Sequence, residues 1–452
     1  MNGDFSRVTF DQGKHYSSVL LQQGRVQLDA DANEQAALGL YHLRAALADI
    51  IGPYAGSSAD SFKISLKLGA NNELTDLLVG SGHYYVDGIL CENDTDDVSY
   101  LHQPDLFPGD GEFPLPTAFP FVVYLRVFER LVNAVQDPAI REIALGDNGP
   151  DTAARGQVVW QVLTTTTTIP GTVERITGNI SPESVLKAWV SQPAKTVTIK
   201  AKGKQPSPQD SDPCITSPAA RYRGAENQLY RVEIHTGGKA GTATFKWSRD
   251  NGSVLFPVSD ISGDEVTVTT LGRDPSLGLA VGDWVEIVDD RYPARSQPAP
   301  LRQVKSVDPV NMLVRLDAAP SADTGQNRDL HPFLRRWDQK APVPATSGPP
   351  FADDNAPFVV ERDAADQFID LEDGVQIQFQ ANDGTYMRGD YWLIPARTAT
   401  GDVEWPKIPG TTSPAERLPD GVAEHFAPLA LVEDLDNVFE LRFVIDHVAK
   451  PV

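Results

Sequence analysis

Short apolar stretches, each closed by Gly, Pro, Asp or Asn, recur along almost the whole chain, and this rhythm limits the available folds more than any other feature. In "FKISLKL", "HYYVDGILCEN", "GQVVWQVLTTTTT", "NQLYRVEIHTGG", "DEVTVTTLG" and "QFIDLEDGVQIQFQ", apolar and polar side chains alternate, as a strand with one buried face requires. Glycine and proline, 35 of each, are spread between these stretches and supply the turns. The expected fold is mainly β, a multidomain chain of β-sandwich or small-barrel modules. "RDNGSV" places Asn251-Gly252 where a tight hairpin turn needs positive φ. "VGDWVEI" and "RGDYWLI" each set Gly-Asp before an aromatic strand.

At 452 residues the chain exceeds one ordinary core. Residues 1–165 read as an N-terminal arm, helix and β-rich assembly domain. Residues 166–222 read as a linker or long surface loop with a short helix in "SPESVLKAWVSQ", where Pro, Lys, Ser and Asp then cluster without periodicity. Residues 223–340 form a β-sandwich or barrel domain and residues 341–452 a C-terminal β-rich domain.

One segment breaks the strand rhythm. "ANEQAALGLYHLRAALADII" carries Leu40, Leu43, Leu47 and Ile50 at alternating three- and four-residue steps, the stripe of an amphipathic helix that packs on a core or a partner. Asp31 stands as its N-cap with Glu34 three residues on, a capping-box spacing, and Gly52-Pro53 ends it. The acids of "DADANE", Asp29 included, therefore have a structural role. Before the helix runs an extended arm, Phe5 to Gln23, whose "VTF" and "SVLL" cannot bury themselves. Phe5, Phe10, Tyr16, Leu20 and Leu21 in the arm and Leu40, Leu43 and Leu47 on the helix are the expected assembly contacts.

Other chemistry is sparse. A formal charge of -23 without a basic stripe argues against nucleic acid as partner. "ENDTDD", with Asp94, Asp96 and Asp97, lacks the Gly and Glu of a helix-loop-helix calcium loop, and "DLEDG" is a similar polar turn. The eight histidines have no zinc spacing, and no Gly-x-Ser-x-Gly or Gly-Lys-Ser/Thr motif occurs. No catalytic, cofactor-binding or metal residue is expected. Cys91 and Cys214 form no disulfide framework. Arg388, Gly389 and Asp390 spell a cell-adhesion tripeptide but run straight into a strand. The seven tryptophans read as core or interface anchors, with sugar stacking as the rival role. In "FKWSRDNGS", Phe245 and Trp247 share one strand face, leaving Lys246 on the other, solvated or paired.

Through "DFSRVTFDQGKHYSSVLLQQGRVQLDADANEQ", "GHYYVDGILCEN", "YRGAENQLYRVEIHTGG", "FKWSRDNGSVLFPV" and "RGDYWLIPARTATGDVEWP", the chain resembles a bacterial family of uncharacterised proteins. Its members occur with genes of contractile, phage-tail-like injection systems. The arm and helix, followed by Gly-x-x-x-Val-Asp-Gly from Gly82 to Gly88, also look like the attachment ends of phage tail fibres. The resemblance implies a nonenzymatic structural or adaptor component of such a particle, in a baseplate, fibre or accessory position. It implies homo-oligomerisation and contacts with other particle components, and it assigns no catalytic residue. The alternative is a carbohydrate- or surface-binding module directed at a cell-surface glycan. Neither a secretory leader pattern nor an apolar run of membrane-spanning length is visible, so the expectation is cytoplasmic synthesis, without membrane insertion, and incorporation into a released or cell-associated particle.

Overall fold

A computed structural model of the chain describes residues 1–105, 113–146, 149–170, 172, 174–178, 180–205, 221–272, 277–292, 298–321, 324–340, 349–362 and 367–446. The fold is mainly β. Most of the Pro/Lys/Ser/Asp-rich linker and Cys214 lie outside the described residues.

After the arm come helix α1 (Asp29–Ile51) and strands β1 (Tyr54–Gly56), β2 (Ile64–Leu68), β3 (Leu74–Val79), β4 (Gly82–Val86), β5 (Ile89–Asn93), β6 (Val98–Ser99), β7 (Phe121–Val132) and β8 (Arg155–Thr165). Strands β1-β4-β5 and β2-β3-β6 make two small sheets. The β7–β8 pair runs in unbroken antiparallel register from Val122↔Thr165 to Val132↔Arg155. Phe62, Leu77, Tyr84, Leu125 and Val162 belong to one buried core. Helix α2 (Pro182–Ala188) starts where Ser181 and Ser184 cap each other reciprocally, within the helix-like "SPESVLKAWVSQ".

The chain then lays down β9 (Ile199–Gly203), β10 (Gln228–Ile234) and β11 (Phe245–Ser248) of a second unit. It leaves for a barrel before finishing that unit. Strands β12 (Leu255–Ser262), β13 (Glu265–Val268), β14 (Trp284–Val288), β15 (Arg302–Asp308), β16 (Leu313–Leu316) and β17 (Phe333–Trp337) close in the order β12-β13-β16-β15-β14-β17. Val266, Val285, Ile287, Val304, Val314 and Leu334 belong to its core, small enough to be filled by side chains.

The return path completes what was left open. Strands β18 (Ile369–Asp370), β19 (Val375–Phe379), β20 (Tyr391–Arg397) and β21 (Asp402–Val403) finish the sheets β11-β10-β20-β21 and β18-β19-β9. Strands β22 (Glu424–Val432) and β23 (Val438–Glu440) then rejoin the first unit, β22 pairing with β7 from Glu424↔Phe128 to Val432↔Phe121. Four consecutive domains are therefore corrected to nested units: a barrel inserted in a two-sheet unit, itself inserted in the first. Among the described residues, the buried side chains after residue 349 join cores begun earlier in the chain, Val375, Ile377 and Trp392 in the two-sheet unit, Leu429 and Leu431 in the first unit, and Ala356 beside Trp284 and Trp337.

Two turn motifs have clear local causes. Asn251 and Gly252 take φ values of 51° and 65°, and Ser253 N–H donates to the Asp250 carbonyl at 3.0 Å, the expected tight turn. It does not join a hairpin, because β11 pairs with β10 whereas β12 pairs with β13 and β17. At the two Gly-Asp strand starts, Asp283 accepts from Ala280 N–H and Asp390 from Met387 N–H, so each aspartate fastens the turn that launches its strand. Among the described residues, no helix is long and apolar enough to cross a membrane.

Candidate functional site

The arm lies along α1 and is fastened by the acids that the sequence placed in its cap. Ser6 donates from its backbone N–H and its hydroxyl to Asp29, at 2.9 and 2.6 Å, and Thr9 donates to Glu34. Burial alone would raise the Asp29 carboxyl, but the Ser6 hydrogen bonds outweigh it and hold the group below the usual range. Gln12 Nε2 donates to Tyr41 Oη at 2.9 Å, and Phe10 packs against the Tyr41 ring with centroids 5.7 Å apart. Asp11 caps a short 3-10 turn, Gln12–Lys14, that ends at left-handed His15. The chain comes back past Val19, whose N–H donates to Gln35 at 2.7 Å. The expected capping box is thereby corrected: Leu28 occupies the N-cap, with no side-chain cap bond, and Glu34 is held by the arm.

The expected assembly residues divide into two groups. Phe5 packs on Leu229, Tyr391 and Leu393 within the same chain, and Phe10 is spent on Tyr41, so these two anchor the arm internally. Tyr16, Leu20 and Leu21 are exposed, as are Leu40 and Leu43, while Leu47 is half-buried. Packing of the α1 stripe on the core is corrected, since the buried residues of α1 are Ala30 and Leu38. Exposure reaches 82% at Leu20, 83% at Val26 and 81% at Ile50.

A second concentration of chemistry lies between the barrel and the two-sheet unit. Tyr230, Val232 and Ile234 of β10 and Phe245 and Trp247 of β11 enter one apolar core. Alternation then sends Arg231, Glu233, His235 and Lys246 to the opposite face. There Lys246 Nζ donates to both oxygens of Glu286 on β14, at 2.8 and 2.7 Å, and to Tyr292 Oη at 3.1 Å. Glu233 is 3.3 Å away, and the Trp337 ring centroid lies 4.4 Å from the ammonium. The side chains of Lys246 and Glu286 are 0% exposed, so the reading of Lys246 as paired holds while the solvated one does not.

Burial and charge oppose each other throughout this layer. Burial would raise Glu233, but Arg231 at 2.5 Å and then Lys246 pull it down to about 2. Glu286 is lowered in the same way by Lys246, against the effect of burial. Burial would lower Lys246, and Glu286, Tyr292 and Glu233 together raise it. His235 is pushed down to about 4 by burial and by Lys246, which makes it neutral near pH 7, and neither ring nitrogen has a hydrogen-bond partner among the described residues. The layer is a buried ionic cluster whose His235, Lys246 and Glu286 side chains are closed to solvent. Its Arg231–Glu233 end borders a cavity of about 540 Å³ where all three units meet.

The remaining sequence candidates fall elsewhere. Ser81 donates to Asp96, and among the described residues no three His, Cys, Asp or Glu side chains are placed to hold a metal. Asp390 is buried and paired with Lys195, so the Arg-Gly-Asp tripeptide is not presented for recognition. All seven tryptophans are buried, which leaves none as an exposed stacking platform for sugars. Cys91 is buried and unpaired, and burial pushes its thiol well above the usual range. Alternation in "LYRVEIH" could have located the ionic layer, but its covering strands β14 and β17 lie far along the chain.

No curated protein and no solved structure matches the chain. One family profile does, over residues 1–169 and 181–441. That match spans the arm, α1, all three cores and the ionic layer, and the chain belongs to this family of unknown function, DUF6519.

Proposed function

We propose that the protein is a nonenzymatic structural or adaptor subunit of a phage-tail-like contractile particle, docking onto neighbouring subunits through the outer surface of its arm and α1. The observation that carries this reading is the apolar surface of that element: Tyr16, Leu20, Leu21, Val26, Leu28, Leu43 and Ile50 are exposed on one arm-and-helix unit. Scattered exposed leucines need no explanation, but this many on one element support its reading as a docking surface. The arm's polar bonds to Asp29, Glu34 and Gln35 hold it in shape before any partner arrives, which reduces the ordering cost of docking.

The test is Leu20→Asp with Leu21→Asp. Both side chains are exposed, so the double variant keeps its circular dichroism and its unfolding free energy within about 0.5 kcal/mol of wild type. Light scattering on the full chain should give a defined oligomer for wild type and a monomer for the variant, and the variant should be missing from purified particles. Identical masses together with normal incorporation of the variant would overturn the proposal.

A further inference from the structure

The cavity of about 540 Å³ at the junction of the three units is bordered by six arginines in a chain of net charge -23. Most are already satisfied. Arg44 makes a two-pronged pair with Glu129 at 2.9 Å, Arg126 pairs with Glu424, and Arg231 pairs with Glu233. Arg130 donates to Gln157 at 2.8 Å, and Arg388 lies over the Tyr292 ring, 4.7 Å from its centroid. The two other acids at the cavity are engaged as well. Asp289 accepts from the Arg291 and Gly325 backbone, and Asp420 accepts from Leu393 N–H and pairs with Arg417.

Arg335 is different. It sits on β17 opposite Glu286 of β14, on the ionic face of the barrel, and its Nε is buried without a hydrogen-bond partner among the described residues. Its guanidinium lies 5.4 Å from the Phe333 ring centroid, and burial pulls its pKa below the ordinary arginine value although the Glu286 and Glu233 carboxylates act to raise it. An arginine does not escape this cost by losing its proton, and the carboxylates near it, Glu286 and Glu233, are already held by Lys246 and Arg231, so a further anion is the favourable remedy. A guanidinium fork matches the oxygens of a carboxylate or phosphate.

The cavity has the size of a small-molecule site and apolar walls at Ile89, Phe128, Leu131, Val288 and Phe333. We infer that it binds a small organic anion, a carboxylate or phosphate head on an apolar or aromatic body, with Arg335 holding the head and the Phe128 and Leu131 side of the cavity receiving the body. This site is separate from the docking surface of the arm and stands whether or not the particle reading does.

The experiment uses the full chain, titrated calorimetrically with phenyl phosphate, benzoate, inorganic phosphate and benzyl alcohol at constant ionic strength set with sodium chloride. Phenyl phosphate or benzoate should bind saturably at one site per chain, at least tenfold more tightly than inorganic phosphate, with no binding of benzyl alcohol. Arg335→Met should weaken the tighter aromatic anion at least tenfold. Arg335 is half-buried and its Nε makes no hydrogen bond among the described residues, so Arg335→Met should fold, as circular dichroism will check, while Arg335→Lys should retain part of the affinity. Absence of saturable aromatic-anion binding to wild type, or equal affinity in Arg335→Met, overturns the inference. So does inorganic phosphate binding as tightly as phenyl phosphate, because the apolar walls would then contribute nothing.

Discussion

Lys246→Met lowers the stability of the protein by about 3 to 5 kcal/mol at pH 7, although methionine is apolar and close to lysine in length. The loss comes from what remains behind. Glu233 keeps Arg231 at 2.5 Å, but Glu286, 0% exposed, loses the ammonium that holds both its oxygens. Glu286 keeps the Tyr292 hydroxyl and the Trp337 indole N–H as donors, at 2.8 and 3.0 Å, but a buried carboxylate without its ammonium costs far more than the lysine pair contributes in net terms. Lys246→Met with Glu286→Gln should therefore recover much of the loss, since the second change removes the stranded charge. Urea unfolding followed by tryptophan fluorescence measures both variants, and a single variant within 1 kcal/mol of wild type would refute this account.

The same layer sets a pH window whose direction reverses in the variant. In wild type, Glu286 is held below its unfolded value, so its contribution is present above about pH 4.3 and is lost as pH falls through the folded value. Lys246 is raised, so its contribution is present below about pH 10.4 and is lost as pH rises through the folded value. His235, pushed down to about 4, takes up protons more readily when unfolded and starts to cost stability as pH falls below about 6.5. These groups together give a plateau between about pH 6.5 and 10. Without Lys246, Glu286 loses the largest effect opposing burial and should be raised, and His235, with Nδ1 3.7 Å from its carboxylate, loses the lysine's repulsion while burial still opposes its charging. Acid then stabilises the variant relative to its value at pH 8, opposite to wild type.

What could be read in advance, and what could not, follows from the distance over which each feature is determined. Strands such as Gln228–Ile234 and Val375–Phe379 are written in their own alternation. Their partners are not: β22 joins β7 across nearly three hundred residues, so consecutive blocks of strands were mistaken for consecutive domains. The Asn251-Gly252 turn was legible because its positive φ values need those two residue types, yet the destinations of its flanking strands depend on β10 and β17. Asp31 and Glu34 had capping-box spacing, but Thr9 took Glu34 for the arm, a competition invisible to a local rule. The pairing of Lys246 was legible and its burial was not, because the barrel that encloses it is completed only at Trp337. Arg335 drew no notice for the same reason: an arginine in a strand normally reaches water.

The Gly82–Gly88 motif that suggested an attachment domain now has a mechanical meaning, and it leads to the second large effect: Gly88→Ala costs about 3 kcal/mol and loosens α1 from the first unit. Asp87 and Gly88 form the turn between β4 and β5, at φ values of 47° and 76°, and Asp87 N–H donates to the Pro53 carbonyl at 2.7 Å, just past the end of α1. A Cβ on Gly88 would overlap the Arg44 carbonyl, a backbone atom in α1 that cannot swing aside as a side chain does. Arg44 is also where α1 is tied to β7, through its two-pronged pair with Glu129. Moving the helix to relieve the overlap therefore strains that pair. Gly263→Ala is the control: Gly263 has a φ of 62° with open space around its would-be Cβ, so it isolates left-handed strain, about 1 kcal/mol, from the collision. Hydrogen exchange should show amides of α1 losing protection in Gly88→Ala while those of the barrel keep theirs. If instead the two alanine variants are equally stable and α1 keeps its protection, the β4–β5 turn is not what seats the helix, and the arm's bonds to Asp29 and Glu34 must hold the docking surface in place unaided.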